Sequence, residues 1–252
     1  MRKFTLSLLV LLVSVFFINQ GVFGQAKYTK TTEIVKSATP YVQPVKTGDN
    51  FMADMYSIDF EDEADFTFDF TPWTAVDVDL LPTYGMTGVT WPNAGDPQAF
   101  IVFNPATTDP PLTDDPEIQP HSGDKFGACL ASVPSGGSGN DDWFISDLVS
   151  VGNGASFNFW AKSYTDAYGL ERFNVAVSTT TPDPGEFTVI SGATYVEAPI
   201  VWTEYNYDLS AYAGQDIYVA IQCVTFDAFV FMIDDLVIDP GTVAGPCENF
   251  DA

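Results

Sequence analysis

Apolar and polar residues alternate in short runs along most of this chain, and Pro/Gly-rich stretches separate the runs. The runs are "MYSIDFE", "FTFDF", "WTAVDVDL", "QAFIVFN", "KFGACLAS", "WFISDLVSV", "SFNFWAKS", "RFNVAVST", "FTVI", "WTEYNYDLS", "IYVAIQCVT" and "FVFMIDDLVI". Aromatic and β-branched residues dominate them, and a period of two sends successive side chains to opposite faces of a strand. Almost nothing carries the period of a helix. About a dozen strands without intervening helices predict an all-β fold, an antiparallel jelly-roll β-sandwich.

One run does not fit simple alternation. Phe229 to Ile233 and Leu236 to Ile238 read as a strand buried on both faces, yet Asp234 and Asp235 sit between them. Adjacent strand side chains point to opposite faces, so the two aspartates cannot both escape to one solvent side. An inward carboxylate without a partner costs several kcal/mol or is driven to protonate, so a cation or a set of donors is expected there.

Two stretches break the rhythm. Residues 104–124 hold five prolines and no strand candidate, and are expected to form a long surface excursion. Residues 134–142, "PSGGSGNDD", are expected to form a flexible turn. Long loops at one end of a sandwich are common binding sites.

At the start, Arg2 and Lys3 lead an apolar run from Leu6 to Ile18 and then Val22-Phe23-Gly24, the pattern of an export signal over 1–24. A membrane anchor is the weaker reading, because the apolar run is short for a span. Residues 25–52 carry Lys27, Lys30, Lys36 and Lys46 among Thr, Pro and Ser and read as a flexible leader; 53–239 form the jelly-roll domain, and 240–252 a linker-like tail. The expectation is a secreted protein with no membrane span once the signal is removed.

Charge narrows the classes of partner. There are 34 acidic and 9 basic residues, a net charge of −25, and losing Arg2 and Lys3 makes it more negative still. Nucleic acid and anionic membranes need basic surface, so both are excluded as partners. Divalent cations suit such a chain. Three cysteines and one histidine match no zinc spacing, and Cys129 and Cys223 are read as buried free thiols in preference to one disulfide.

Catalytic motifs are lacking. His121 and Ser122 are neighbours in "PHSGD", but a serine triad needs a base oriented by a remote acid. No G-x-S-x-G elbow, H-E-x-x-H or phosphate-cradling glycine loop occurs. Carboxylate pairs of the kind a glycosidase uses arise by chance among so many acids. The chain is expected not to be an enzyme.

Calcium takes six to eight oxygens, and strand ends distant in sequence can supply them. Acidic clusters occur at Asp59, Glu61 and Asp62, at Asp77 and Asp79, at Asp124, at Asp141 and Asp142, and at Asp234 and Asp235. Asp62, Asp141 and Asp142 read as solvated surface acids. Asp59, Glu61, Asp234 and Asp235 lie inside apolar strands, where that explanation fits poorly. With 15% aromatic residues, Trp73, Trp91 and Trp143 near turns are candidate sugar-stacking platforms, although core packing suits each one better; Trp160 and Trp202 read as structural.

Taken in order, "DFED", "PWTAVDVD", "AFIVFNP", "HSGDKFGACLAS", "NDDWFISDLV", "SFNFWAKSY", "ERFNVAVSTT" and "FVFMIDDLVI" resemble the cleaved-adhesin (haemagglutinin/adhesin, gingipain-type) domains of bacterial surface proteins and the related choice-of-anchor modules. The resemblance runs from about Tyr56 to Ile238. It implies a jelly roll, a bacterial cell-surface location, adhesion to a host or matrix protein or a glycan, and calcium between the opening and closing strands. Carried over, the metal ligands are Asp59, Glu61, Ser122, Asp124, Asp234 and Asp235. Family members often read DxDGDG where this chain has Asp77-Val78-Asp79-Leu80, a departure that argues against a second ion in that loop. The alternative function is a carbohydrate-binding accessory domain of a secreted hydrolase system.

Overall fold

The structure, a computed structural model, describes residues 26–37, 56–192 and 194–242. The expected export signal, Lys46 and Cys247 lie outside them. Strands β1 (Lys30–Thr31), β2 (Ser57–Ile58), β3 (Thr74–Asp77), β4 (Gly85–Met86) and β5 (Ile101–Phe103) come first. Next are β6 (Phe126–Leu130), β7 (Asp142–Ile145), β8 (Val149–Ser150), β9 (Ser156–Ser163) and β10 (Arg172–Ser178). The last are β11 (Thr188–Val189), β12 (Val196–Glu197), β13 (Thr203–Asp208), β14 (Asp216–Cys223) and β15 (Val230–Asp239). Among the described residues there is no α-helix, and hence no helix long and apolar enough to cross a membrane.

Two antiparallel sheets make the jelly-roll sandwich that the alternation predicts. One runs β13-β9-β15-β6-β5, with β2 beside β15; the other runs β11-β10-β14-β7-β3, with β12 against β10 and β8 against β14. The first and last strands of the domain are therefore neighbours, Ile58 opposite Leu236. The run "SFNFWAKS" is β9 itself, with Phe157, Phe159 and Ala161 turned into the inter-sheet core. Phe144 of β7 lies near the middle of that core, edge-on to Phe70 at 4.9 Å and stacked on Trp73 at 5.4 Å. Burying each such ring contributes about 1.5–3 kcal/mol.

The six-stranded sheet is apolar on its outer face as well. Ile101, Phe103, Phe126, Ala128, Leu130, Val230 and Met232 form a second core with Trp91, Leu112, Ile118 and Tyr164. Residues 104–124 provide much of the cover: Leu112 and Ile118 are fully buried. Two short 3-10 turns, Pro105–Thr107 and Pro116–Ile118, shape this excursion, each capped by the side chain before it, Asn104 or Asp115. The stretch is a packed lid rather than a free loop.

Two expectations need correction. "FTFDF" is not a strand, because Phe66 takes φ +60 and turns the chain while its N–H and the Thr67 carbonyl still bond to Val102. Residues 26–37, expected to be a flexible leader, are docked: β1 pairs with β4, and Lys27, Lys30 and Lys36 pair with Asp114, Asp227 and Asp96. The composition of the segment suggested disorder, yet Tyr28 and Ile34 join the second core. Cys129 and Cys223 are buried free thiols, as expected.

Glu171 is 1% exposed, takes the Phe229 N–H on Oε1, and leaves Oε2 without a partner. Burial pushes its pKa up to about 7 despite hydrogen bonds from Thr225 and Phe229. A carboxyl raised in the folded state adds stability that is fully present below its ordinary value near 4.5 and is lost as pH rises through about 7. Glu171→Gln is therefore expected to lose less melting temperature than the parent between pH 5 and pH 8. Equal losses in both proteins would disprove this.

Candidate functional site

The paired aspartates of β15 sit at a bulge. Asp234 faces Trp160 of β9, and pairing resumes with Val237 facing Asn158, so β15 carries one extra residue; Asp235 adopts φ +49. Asp234 is buried beneath the lid and Asp235 is partly exposed. One of the two is thus inward, as the sequence required.

Donors from the protein meet both. Asp234 Oδ2 accepts the backbone N–H of His121 (2.9 Å) and of Ser122 (3.2 Å), and Oδ1 accepts that of Asp235 (2.9 Å). Burial still pushes the Asp234 pKa up to about 8, with the nearby Asp235 charge adding to it. Asp235 accepts the Ser122 hydroxyl at 2.8 Å and meets His121 Nδ1 at 2.6 Å. The His121 ring stacks on Trp160 at 3.9 Å.

The opening acids lie nearby. Glu61 Oε1 accepts the N–H groups of Asp124 (2.9 Å) and Lys125 (2.8 Å), in a cradle where Gly123, at φ +60, leaves room that a Cβ would fill. Asp59 accepts the Glu61 N–H and shares with Asp62, Glu63 and Asp235 a cleft of about 320 Å³. The six expected ligands are thus gathered around the β2/β15 seam and the His121–Lys125 loop. Among the described residues, however, their carboxylates do not offer three ligand atoms to one point. Ser122 donates its hydroxyl to Asp235, and Asp124 its backbone N–H to Glu61.

A different trio does converge. Asp77 at the end of β3 pairs with Asp142 at the start of β7, and with Asp79 they bring one oxygen each within 4.8 Å of one another. Asp77 accepts the Leu80 N–H at 2.7 Å. Asp79 accepts Leu81 N–H, Asp141 N–H and the Ser132 hydroxyl. Asp142 is fully buried; Oδ2 takes Asn140 Nδ2 at 2.6 Å and the Cys129 thiol at 3.4 Å, while Oδ1 has no partner. Burial pushes the Asp142 pKa up to about 8, with Asp79 and Asp77 adding to the rise, and burial raises Asp77 as well. A cluster of three carboxylates, one of them buried with an oxygen that lacks a partner, fits a hard, oxygen-seeking divalent cation.

Asp142 corrects the sequence reading, which took it for a solvated acid. The signal was present in the alternation: Asp142 shares its strand face with Phe144, which is core. The three tryptophan candidates are corrected too, because each fills a core. Trp73 is 2% exposed against Phe144, Trp91 is 1% exposed against Phe103, and Trp143 is 5% exposed, donating its N–H to Asp141. None offers a platform to a sugar. Trp160, read as structural, is only partly buried.

No protein-family model matches this chain, and no curated protein does. Solved structures do match. The K2 cleaved adhesin domain of Lys-gingipain aligns with TM-score 0.50 and 20% identity, over 73% of this chain and 98% of that domain. The K1 cleaved adhesin domain of Lys-gingipain from Porphyromonas gingivalis W83 gives 0.48 and 22%, over 75% and 98%. TmCBM61, solved with β-1,4-galactotriose, gives 0.45 and 12%, over 77% and 99%. The fold is that of a cleaved adhesin domain, an antiparallel β-sandwich.

Truncating Asp234 leaves two amides of the His121 loop without acceptors. Asp234→Ala is expected to lower unfolding free energy by about 1–3 kcal/mol in urea titrations, and Asp234→Asn, which keeps an acceptor, by less. The reverse order would show that the amides do not depend on this carboxylate.

Proposed function

We propose that this protein is a secreted, non-catalytic adhesin-type module that binds an extracellular protein or glycan at the bacterial surface and holds a structural calcium ion at Asp77, Asp79 and Asp142. The observation that carries the calcium assignment is that Asp142, whose buried Oδ1 has no partner, brings a carboxylate oxygen within 4.8 Å of oxygens of Asp77 and Asp79. The ion would neutralise three carboxylates and tie the end of the edge strand β3 to the start of β7. The set expected between the opening and closing strands is less suited, since its acids do not bring three ligand atoms together among the described residues.

Likeness of fold to the K2 cleaved adhesin domain supports the adhesin reading. The loops around the proposed ion expose Leu80 (70%) and Phe226 (51%), and Phe226 packs by Gly139 in the turn that precedes Asp142. Exposed apolar side chains on loops at one end suit a docking surface. The arrangement of His121 supports a non-catalytic role. Ser122 donates to Asp235, as His121 also faces Asp235, so the carboxylate stands in the middle where a triad needs the base.

Calcium is expected to raise the melting temperature and EDTA to lower it, by about 2.7 kcal/mol of folding free energy at 100 times the dissociation constant. Asp142→Asn is expected to abolish the response. Melting curves that ignore calcium, or a variant that responds like the parent, would refute the site. An array of glycans and matrix proteins then identifies the ligand class.

A further inference from the structure

The segment 26–37 lies in a groove that recognises it at three points. Lys30 Nζ donates to Asp227 Oδ1 (2.5 Å), Asp227 O (2.6 Å) and Ala228 O (3.1 Å). It also lies over the Tyr84 and Tyr168 rings, at 4.4 and 4.6 Å from their centroids. Tyr84 donates its hydroxyl to the same Asp227 oxygen at 2.9 Å, which fixes the acid between ammonium and phenol. Buried Glu171, with its orphaned oxygen, also acts electrostatically on Lys30. Two aromatic faces, a carboxylate and two carbonyls make an ammonium cage.

Four residues along, Ile34 fills a slot floored by glycine. A Cβ on Gly85 would meet Ile34 Cδ1 at 2.6 Å, and one on Gly95 would overlap the same side chain. Between these anchors, β1 bonds to β4 as an added strand, Lys30 opposite Met86 and Thr31 opposite Gly85. Tyr28 donates its N–H to Tyr164 at 3.1 Å, and the Thr90 hydroxyl donates to the Val35 carbonyl. Side-chain pockets combined with strand addition are the means by which a protein reads an extended peptide.

We propose that this groove is a peptide-binding site selective for an extended segment with a lysine and, four residues later, a branched aliphatic residue, and that residues 26–37 occupy it in cis as a displaceable self-ligand. The segment and the groove belong to one chain, so the cis segment binds as an intramolecular ligand. A peptide in trans therefore competes poorly until the cis segment is weakened. The site is separate from the acidic trio and does not depend on any metal.

The test uses the full chain and a fluorescent synthetic peptide of residues 26–37. In Lys30→Glu the cis segment is repelled by Asp227 and Glu171, and the peptide is expected to bind at least tenfold more tightly than to the parent chain. A peptide carrying the same Lys30→Glu change is expected to bind neither. Circular dichroism checks that the variant is folded; if it is not, Ile34→Ala serves as the weakened chain with the cage intact. Failure of the peptide to bind either weakened chain, or equal binding of the lysine and glutamate peptides, overturns the proposal.

Discussion

A sheet that is apolar on both faces needs two covers, and this requirement organises the molecule. The opposite sheet covers the inner face of β5, β6 and β15. The outer face is covered instead by residues 104–124 and by the small β1–β4 sheet that the segment 26–37 helps to form. Without that burial, Val230, Met232, Leu130 and Phe103 would face water, at about 25 cal/mol for each Å² exposed. The same cover brings His121 and Ser122 over Asp234, so the treatment of the buried acid follows from the packing of its neighbours.

Acids are handled in two ways. Around the β2/β15 seam, loop amides, a hydroxyl and an imidazole reach the carboxylates, and the chain supplies its own counter-dipoles. At the β3/β7 end, Asp142 Oδ1 receives nothing from the protein. In the first arrangement the protein supplies donors, although burial and the Asp235 charge still push the Asp234 pKa up to about 8. The second leaves a buried Asp142 oxygen without a donor in a cluster of three acids, and this difference marks the candidate ion site.

Much of the framework was legible in the sequence. The limits of β9 coincide with "SFNFWAKS", and β15 lies within 229–239, because alternation of large apolar residues has one low-energy reading in a sandwich. The adjacency of the first and last strands is what the family resemblance implies, and the structure has it. What failed depended on backbone dihedrals or on distant partners. "FTFDF" has the composition of a strand, but Phe66 sits at a positive φ that composition does not encode. The leader has the composition of a disordered segment, and its lysines meet their acidic partners, Asp114, Asp227 and Asp96 from three separate loops, only in the fold. Trp73, Trp91 and Trp143 sit near turns in the sequence, yet three hydrophobic clusters, each needing a large ring, absorb them.

The bulge in β15 bears on how the strand could vary. Ile233 and Leu236 both face the inner core although they are three apart, because Asp235 is surplus to the ladder. A chain lacking Asp235 alone would keep Leu236 and Ile238 in phase with Ile233, and every apolar contact of the strand would survive the shortening. It would forfeit the contacts to the His121 ring and the Ser122 hydroxyl, while Asp234 would keep the two backbone amides. Position 235 is thus a place where length can change without disturbing the core, and its retention is a matter of holding the lid, not of building the sandwich.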